Sequence, residues 1–229
     1  MKATRSFRQP AKLYASLSGN ALRVPRPPAD LDPQIERWEA GRVIVRCHGP
    51  KFHERKFNET THLARFRPLV DAGAVVPTIY GADDFAGAVS ETVFHEVPVR
   101  GPHRRILRSE IDRWVWCEVA PRRDLKLVAL HGTGLRRIQV THGELIECDA
   151  SDYADTVPWS VALHEGARAP DGLCWRSRQH NDSLALMLFG SRVAETDLAV
   201  VRAAESLALR PGGDLTYEFA EAADIAIVT

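Results

Sequence analysis

The chain has 229 residues, 45% apolar and 26% charged, and its 30 basic side chains balance 30 acidic ones. That length and apolar share build the core of one domain, with or without an appendage. The even charge leaves no net field to draw in DNA, RNA or an anionic membrane, and no stretch nears the roughly 18 apolar residues of a membrane span.

Residues 1–40 read as an N-terminal appendage. Lys2, Arg5 and Arg8 have no apolar run behind them, so a signal peptide is not expected. PRPPADLDP, from Pro25 to Pro33, is a stiff connector, and the segment around Ile35, Trp38 and Glu39 suits one or two helical turns. Residues 41–229 read as the domain proper. GRVIVRCHG, from Gly41 to Gly49, alternates as its first strand and carries Arg46 near its end. Cys47, His48 and His53 are too scattered to converge on an ion, and no metal site is expected. The four cysteines, Cys47, Cys117, Cys148 and Cys174, form no CxxC pair. Reduced thiols in a cytoplasmic protein are expected.

ARFRPLVDAGAVVPTIYGADDFAGAVSETVFHEV, from Ala64 to Val97, organises the chain. It reads as an arginine-rich turn, a strand closing on Tyr80, a cap and a helix. Val75, Val76, Thr78, Ile79 and Tyr80 suit a strand. Pro77 cannot donate to a ladder, so that strand lies at an edge or starts after the proline. Asp83 or Asp84 suits the helix cap. Phe85, Ala86, Val89, Val93 and Val97 form an apolar stripe, and Glu91 projects away from it. Spacing alone leaves Glu91 either solvated or turned into a cleft beside Tyr80.

Further on, DRWVWCEVA, LKLVALH and LRRIQV read as strands, with HGTG (His131–Gly134) as a hairpin turn between the last two. Trp114 and Trp116 read as sheet packing. Tyr153–Ala167 fits a helix with Pro158 near its first turn. DGLCWRSRQ reads as turn, strand and polar exit, placing Ser177 at a strand end, where a serine is commonly a turn residue. LALMLFGSRV is a buried strand, and the C-terminal segments complete the sheet or cover its edge. Short strands broken by few helices predict an α+β fold.

The succession ARFRPL, VPTIY, SETVFH and DGLCWRSR resembles the RES family, named for its arginine, glutamate and serine, over roughly Arg42 to Arg192. The resemblance implies an ADP-ribosyltransferase-like fold with a split, twisted sheet. It implies an activity on NAD as substrate, with no cofactor, and membership of bacterial toxin pairs with an Xre-type antitoxin. By the same resemblance Arg65, Tyr80 and Glu91 are the catalytic set, and Arg46, Arg65, Tyr80 and Ser177 bind NAD. Arg65 precedes the aromatic Phe66 as the motif requires; Arg67 departs from the common form and competes with it. The residue types suit cleavage of the nicotinamide–ribose bond. A guanidinium clamps pyrophosphate, a tyrosine ring stacks on nicotinamide, and a carboxylate bonds a ribose hydroxyl and offsets the developing ribosyl cation. Arginine-modifying transferases usually carry Glu or Gln two residues before the catalytic glutamate. Here that residue is Val89, which favours consumption of free NAD by water or phosphate. Transfer to a protein, or a silent module that only binds a nucleotide or partner, are the alternatives.

Overall fold

A computed structural model describes residues 24–229. The elements run β1 (Ile35–Trp38), β2 (Ile44–His48), β3 (Val70–Asp71), β4 (Ala74–Val75), β5 (Thr78–Ala82), α1 (Phe85–Thr92), β6 (Arg105–Leu107), α2 (Arg108–Ile111), β7 (Val115–Pro121) and β8 (Leu125–Leu130). They continue α3 (Gly132–Arg137), α4 (His142–Leu145), α5 (Tyr153–Glu165), β9 (Gly172–Arg176), β10 (Leu184–Phe189), β11 (Leu198–Ser206), α6 (Gly212–Ala222) and β12 (Ala226–Val228).

Eight strands form one sheet in the order β1-β8-β9-β10-β5-β2-β7-β11. Only β8 and β9 pair in parallel; the other neighbours are antiparallel. This is the α+β architecture expected. Central β10 is buried throughout because both faces are covered. Its Ala185, Met187 and Phe189 join Phe66, Leu69 and Trp159 on one face, while Leu186 and Leu188 join Trp38, Ile44 and Phe57 on the other. A third cluster packs Val89 and Val93 against Val45 and Trp116.

The sheet is split between β5 and β2. Those strands share one paired position, Val45 with Ala82, whereas β2 pairs with β7, and β10 with β5, over five positions each. Gly81 permits the junction: a Cβ there would lie 2.5 Å from Ile44 Cγ2 and 2.8 Å from the Val45 carbonyl oxygen. Beyond that contact the strands part, and Tyr80 and Cys47 face a gap.

Several expectations need correction. Ile35–Trp38 is a strand, not helical turns, and it pairs along its length with β8. Trp38 is fully buried and Val24 belongs to the main core. The expected boundary at residue 41 therefore cuts through the sheet, while residues 1–23 of the expected appendage lie outside the described residues. HGTG is not a hairpin turn but the start of α3, and LRRIQV is the end of that helix and its exit. An added Cβ at Gly134 would stand 2.0 Å from the Ala129 carbonyl oxygen, so the glycine lets the helix fold tightly back on β8. Pro158 sits inside α5, past its first turn. The strand through Tyr80 starts after Pro77, one of the two placements expected, and is internal to the sheet, but it runs on to Ala82, and Val75 belongs to β4 instead. Among the described residues, no helix is long and apolar enough to cross a membrane.

Candidate active site

A cleft of about 400 Å³ opens where β5 and β2 part, and Arg65, Arg67, Tyr80, Glu91, His95 and Tyr153 line it. A larger groove of about 1020 Å³ on the other side of the turn after β9 is lined by Ser177 but by none of Arg65, Tyr80 and Glu91, so size alone does not locate the chemistry.

The arginines come from a turn built around Phe66. Its phenyl is fully buried, its φ is +70°, and its amide donates to Thr156 Oγ1 at 2.9 Å. Left-handed backbone at an aromatic residue is costly and persists only where the surroundings fix it. Here a rooted side chain and a buried hydrogen bond do so, leaving both neighbours on the cleft. Tyr80 adds a third hold, its hydroxyl donating to the Arg65 carbonyl at 2.6 Å. The residue is half-buried, and desolvation of its hydroxyl raises its pKa, so it stays protonated as the bond requires.

Glu91 lies on the last turn of α1, which Asp84 caps by accepting from the Gly87 amide at 2.6 Å. Asp83 instead accepts from the Leu184 amide. The apolar stripe buries Val89 completely and leaves the glutamate facing β9 and the Arg65 turn. Its Oε1 accepts from Ser177 Oγ at 2.6 Å and from the Arg178 amide at 2.8 Å. Its Oε2 stands 3.6 Å from Arg65 Nη1. The carboxylate is therefore oriented and only 15% exposed, not solvated.

Ser177 is fully buried and is not among the residues lining the cleft. Its oxygen also accepts from the amides of Gln179 (3.2 Å) and His180 (3.0 Å). The serine closes the turn after β9 and donates its proton to Glu91, so it holds the carboxylate and does not itself line the cleft where NAD binding was expected of it. Arg46 is 6% exposed and also lies off the cleft lining. Its guanidinium donates to the backbone carbonyls of Tyr80 (3.1 Å), Lys56 (3.4 Å) and Glu54. The arginine expected at a phosphate is committed to the chain itself.

Sequence reasoning missed three cleft residues. Tyr153, at the start of α5, lies beneath the Arg65 guanidinium, 5.4 Å from ring centroid to Cζ, within cation–π range. His95 Nε2 sits 3.1 Å from the Tyr153 hydroxyl. Trp175 packs edge-on against Tyr80 and Phe66. His95 lies in the turn just past the end of α1, and neither it nor Tyr153 carried a spacing signal.

The cleft has unmet demand for an anion. Arg65 is 4% exposed, yet among the described residues its Nε and Nη2 have no hydrogen-bond partner, and neither does Arg67 Nε. Buried donors are ordinarily satisfied. Phosphate oxygens match the planar guanidinium fork, and the Tyr80 and Tyr153 rings suit a planar base.

Fold and cleft together define an α+β domain whose split sheet opens onto an arginine- and glutamate-bearing pocket. The chain belongs to the RES domain family, whose model matches residues 43–210, a span that includes Arg46, Arg65, Tyr80, Glu91 and Ser177. Its fold is similar to that of a chain in the crystal structure of the M. tuberculosis MbcT–MbcA toxin–antitoxin complex. That likeness has a TM-score of 0.54 at 13% identity and covers 76% of this chain and 88% of the other. No curated protein sequence matches the chain.

Proposed function

We propose that the chain is a toxin-like enzyme that cleaves the nicotinamide–ribose bond of NAD and passes the ribosyl group to water or inorganic phosphate. One observation carries the reading: a buried arginine with two donors unpartnered among the described residues shares a pocket with a carboxylate whose orientation Ser177 and Arg178 fix. Arg65, with Arg67 beside it, takes the pyrophosphate. Tyr80 packs against the nicotinamide end, while Glu91 accepts from a ribose hydroxyl and faces the cationic carbon as the bond lengthens. The bonding electrons leave with nicotinamide, which departs neutral, and the incoming oxygen releases its proton. Such charge stabilisation by fixed groups is typically the largest catalytic contribution.

Transfer to a protein arginine is disfavoured because Val89, two residues before Glu91, is fully buried and reaches no acceptor. The toxin–antitoxin neighbour supports a protein inhibitor that covers the cleft, of Xre type by family resemblance. The test is incubation of purified protein with NAD, following free nicotinamide and weighing the ribosyl product with and without phosphate. ADP-ribose identifies a glycohydrolase and its 1″-phosphate a phosphorylase. Label retained on protein would identify a transferase instead. NAD binding without nicotinamide release would leave a silent module and overturn the proposal.

A further inference from the structure

A second polar cluster lies away from the cleft, on the β1-β8-β9 side of the sheet. Glu36 (β1), His131 (the residue after β8) and Cys174 (β9) bring a carboxylate oxygen, an imidazole nitrogen and a thiol within 4.8 Å of one another. The alternation of the strands puts them there. Glu36 shares a face with Trp38, and Cys174 lies opposite Ala129, two residues before His131, so all three project from the Trp38 face. Ala129 is small and leaves room between them.

We infer that Glu36, His131 and Cys174 form a binding site for a zinc-like divalent ion, with water as the fourth ligand. The donor set is one that zinc uses, and its charges close: one thiolate and one carboxylate neutralise a divalent cation. The spacing fits. His131 Nε2 stands 2.8 Å and Cys174 Sγ 3.8 Å from Glu36 Oε2. Tetrahedral zinc sets such nitrogen–oxygen and sulfur–oxygen edges at about 3.3 and 3.6 Å, within about half an ångström of those distances. The nitrogen–sulfur edge, no longer than 4.8 Å here, closes to about 3.6 Å by rotation of the partly exposed imidazole and carboxylate. Burial suits it as well: Cys174 is fully buried at the edge of an apolar cluster, while Glu36 and His131 side chains keep 29% and 21% exposure, a route for the ion.

A plain hydrogen bond accounts for Glu36 and His131, and the Cys174 thiol can donate to the Val128 carbonyl at 3.5 Å, yet the same sulfur also stands against the Glu36 carboxylate, so all three donor atoms converge. A nucleophilic thiol is the wrong reading, since Cys174 has no exposure and burial, reinforced by Glu36, keeps it protonated. Metal binding breaks that S–H bond, forms a metal–sulfur bond and releases one proton to solvent. Arg42 and Arg176 are the nearby cations, and both favour the thiolate. The consequence is a bolt: β1 is a four-residue edge strand paired only with β8, and the ion ties it to β8 and β9 at once.

The test uses the full chain, reduced and stripped of metal, titrated with Co²⁺ and then Zn²⁺. The expected result is one equivalent of Co²⁺ bound with a thiolate-to-cobalt absorption band, displaced by Zn²⁺, with a higher thermal midpoint in zinc. Cys174→Ser should abolish the band, and Glu36→Gln, which keeps the thiol and is the safer variant for folding, should weaken Zn²⁺ binding by more than about 10-fold. Cys148→Ser should leave the band intact. Absence of the band in the parent protein, its persistence in Cys174→Ser, or unchanged affinity in Glu36→Gln would each overturn the site.

Discussion

Ser177→Ala separates a residue that holds the proposed catalytic glutamate from one that holds the ligand. The substitution removes the donor 2.6 Å from Glu91 Oε1 and the acceptor of two amide bonds, at 3.0 and 3.2 Å. A hydrogen bond to a charged group contributes about 1.5–3 kcal/mol. Glu91 keeps the Arg178 amide and stays near Arg65, so it rotates rather than leaves. If the misorientation is felt where the ribosyl cation develops, turnover falls about 10- to 100-fold. NAD affinity should change less than about threefold, because the Arg65 donors proposed to take the pyrophosphate are untouched. The orphaned amides should lower stability by about 1–3 kcal/mol. Nicotinamide release, NAD titration calorimetry and denaturant unfolding on parent and variant read the three quantities. Weakened NAD binding with unchanged turnover would refute the reasoning, because it would make the serine a direct ligand contact.

Other expectations follow from the same geometry. Glu91→Gln keeps the size but removes the charge, and nicotinamide release should fall about 10²–10³-fold with NAD affinity nearly constant. Arg65→Lys loses the planar fork, and NAD binding measured by calorimetry should weaken about 10- to 100-fold. Trp38→Ala should cost about 3–5 kcal/mol in denaturant unfolding if β1 belongs to the fold, whereas an appendage would lose under about 0.5. His48 and His164 are buried, and burial lowers both pKa values from the ordinary 6.5. The unfolded chain then binds protons that the folded one refuses, so stability is full above 6.5 and falls as pH drops through and below that value. Thermal midpoints from pH 7.5 to 5.5 check this, and His164→Asn should flatten part of the slope.

The sequence was most legible where chemistry is local. Pro77, the paired aspartates and the stripe through Val89 and Val93 mark strand, cap and helix within one stretch, and each behaves as its backbone chemistry requires. Legibility failed where distant packing overrides a local pattern. LRRIQV has strand-like residues, yet Gly134 lets it wind into a helix against β8. Ile35–Trp38 follows a proline-rich connector and looks peripheral, but the open edge of β8 recruits it. Within the site, residue types were readable and roles were not. Ser177 reaches Glu91 across 86 positions of sequence, and Tyr153 arrives from a helix with no signature. Arg46 has the right type and strand for a phosphate, and only the carbonyls around it show it already engaged.

That engagement bears on how the two lobes of the sheet are joined. Continuing the register that pairs Val45 with Ala82 would set Cys47 opposite Tyr80, with a backbone amide to receive the Tyr80 carbonyl. At the split, the Arg46 guanidinium takes that carbonyl instead and ties it to the Glu54 and Lys56 carbonyls. A rigid ladder rung has been exchanged for a side-chain tether with several rotatable bonds. Ladder hydrogen bonds hold neighbouring strands about 4.8 Å apart, whereas a tether keeps its contacts over a range of separations. The Tyr80 carbonyl is thus satisfied beside the gap although no ladder rung reaches it there.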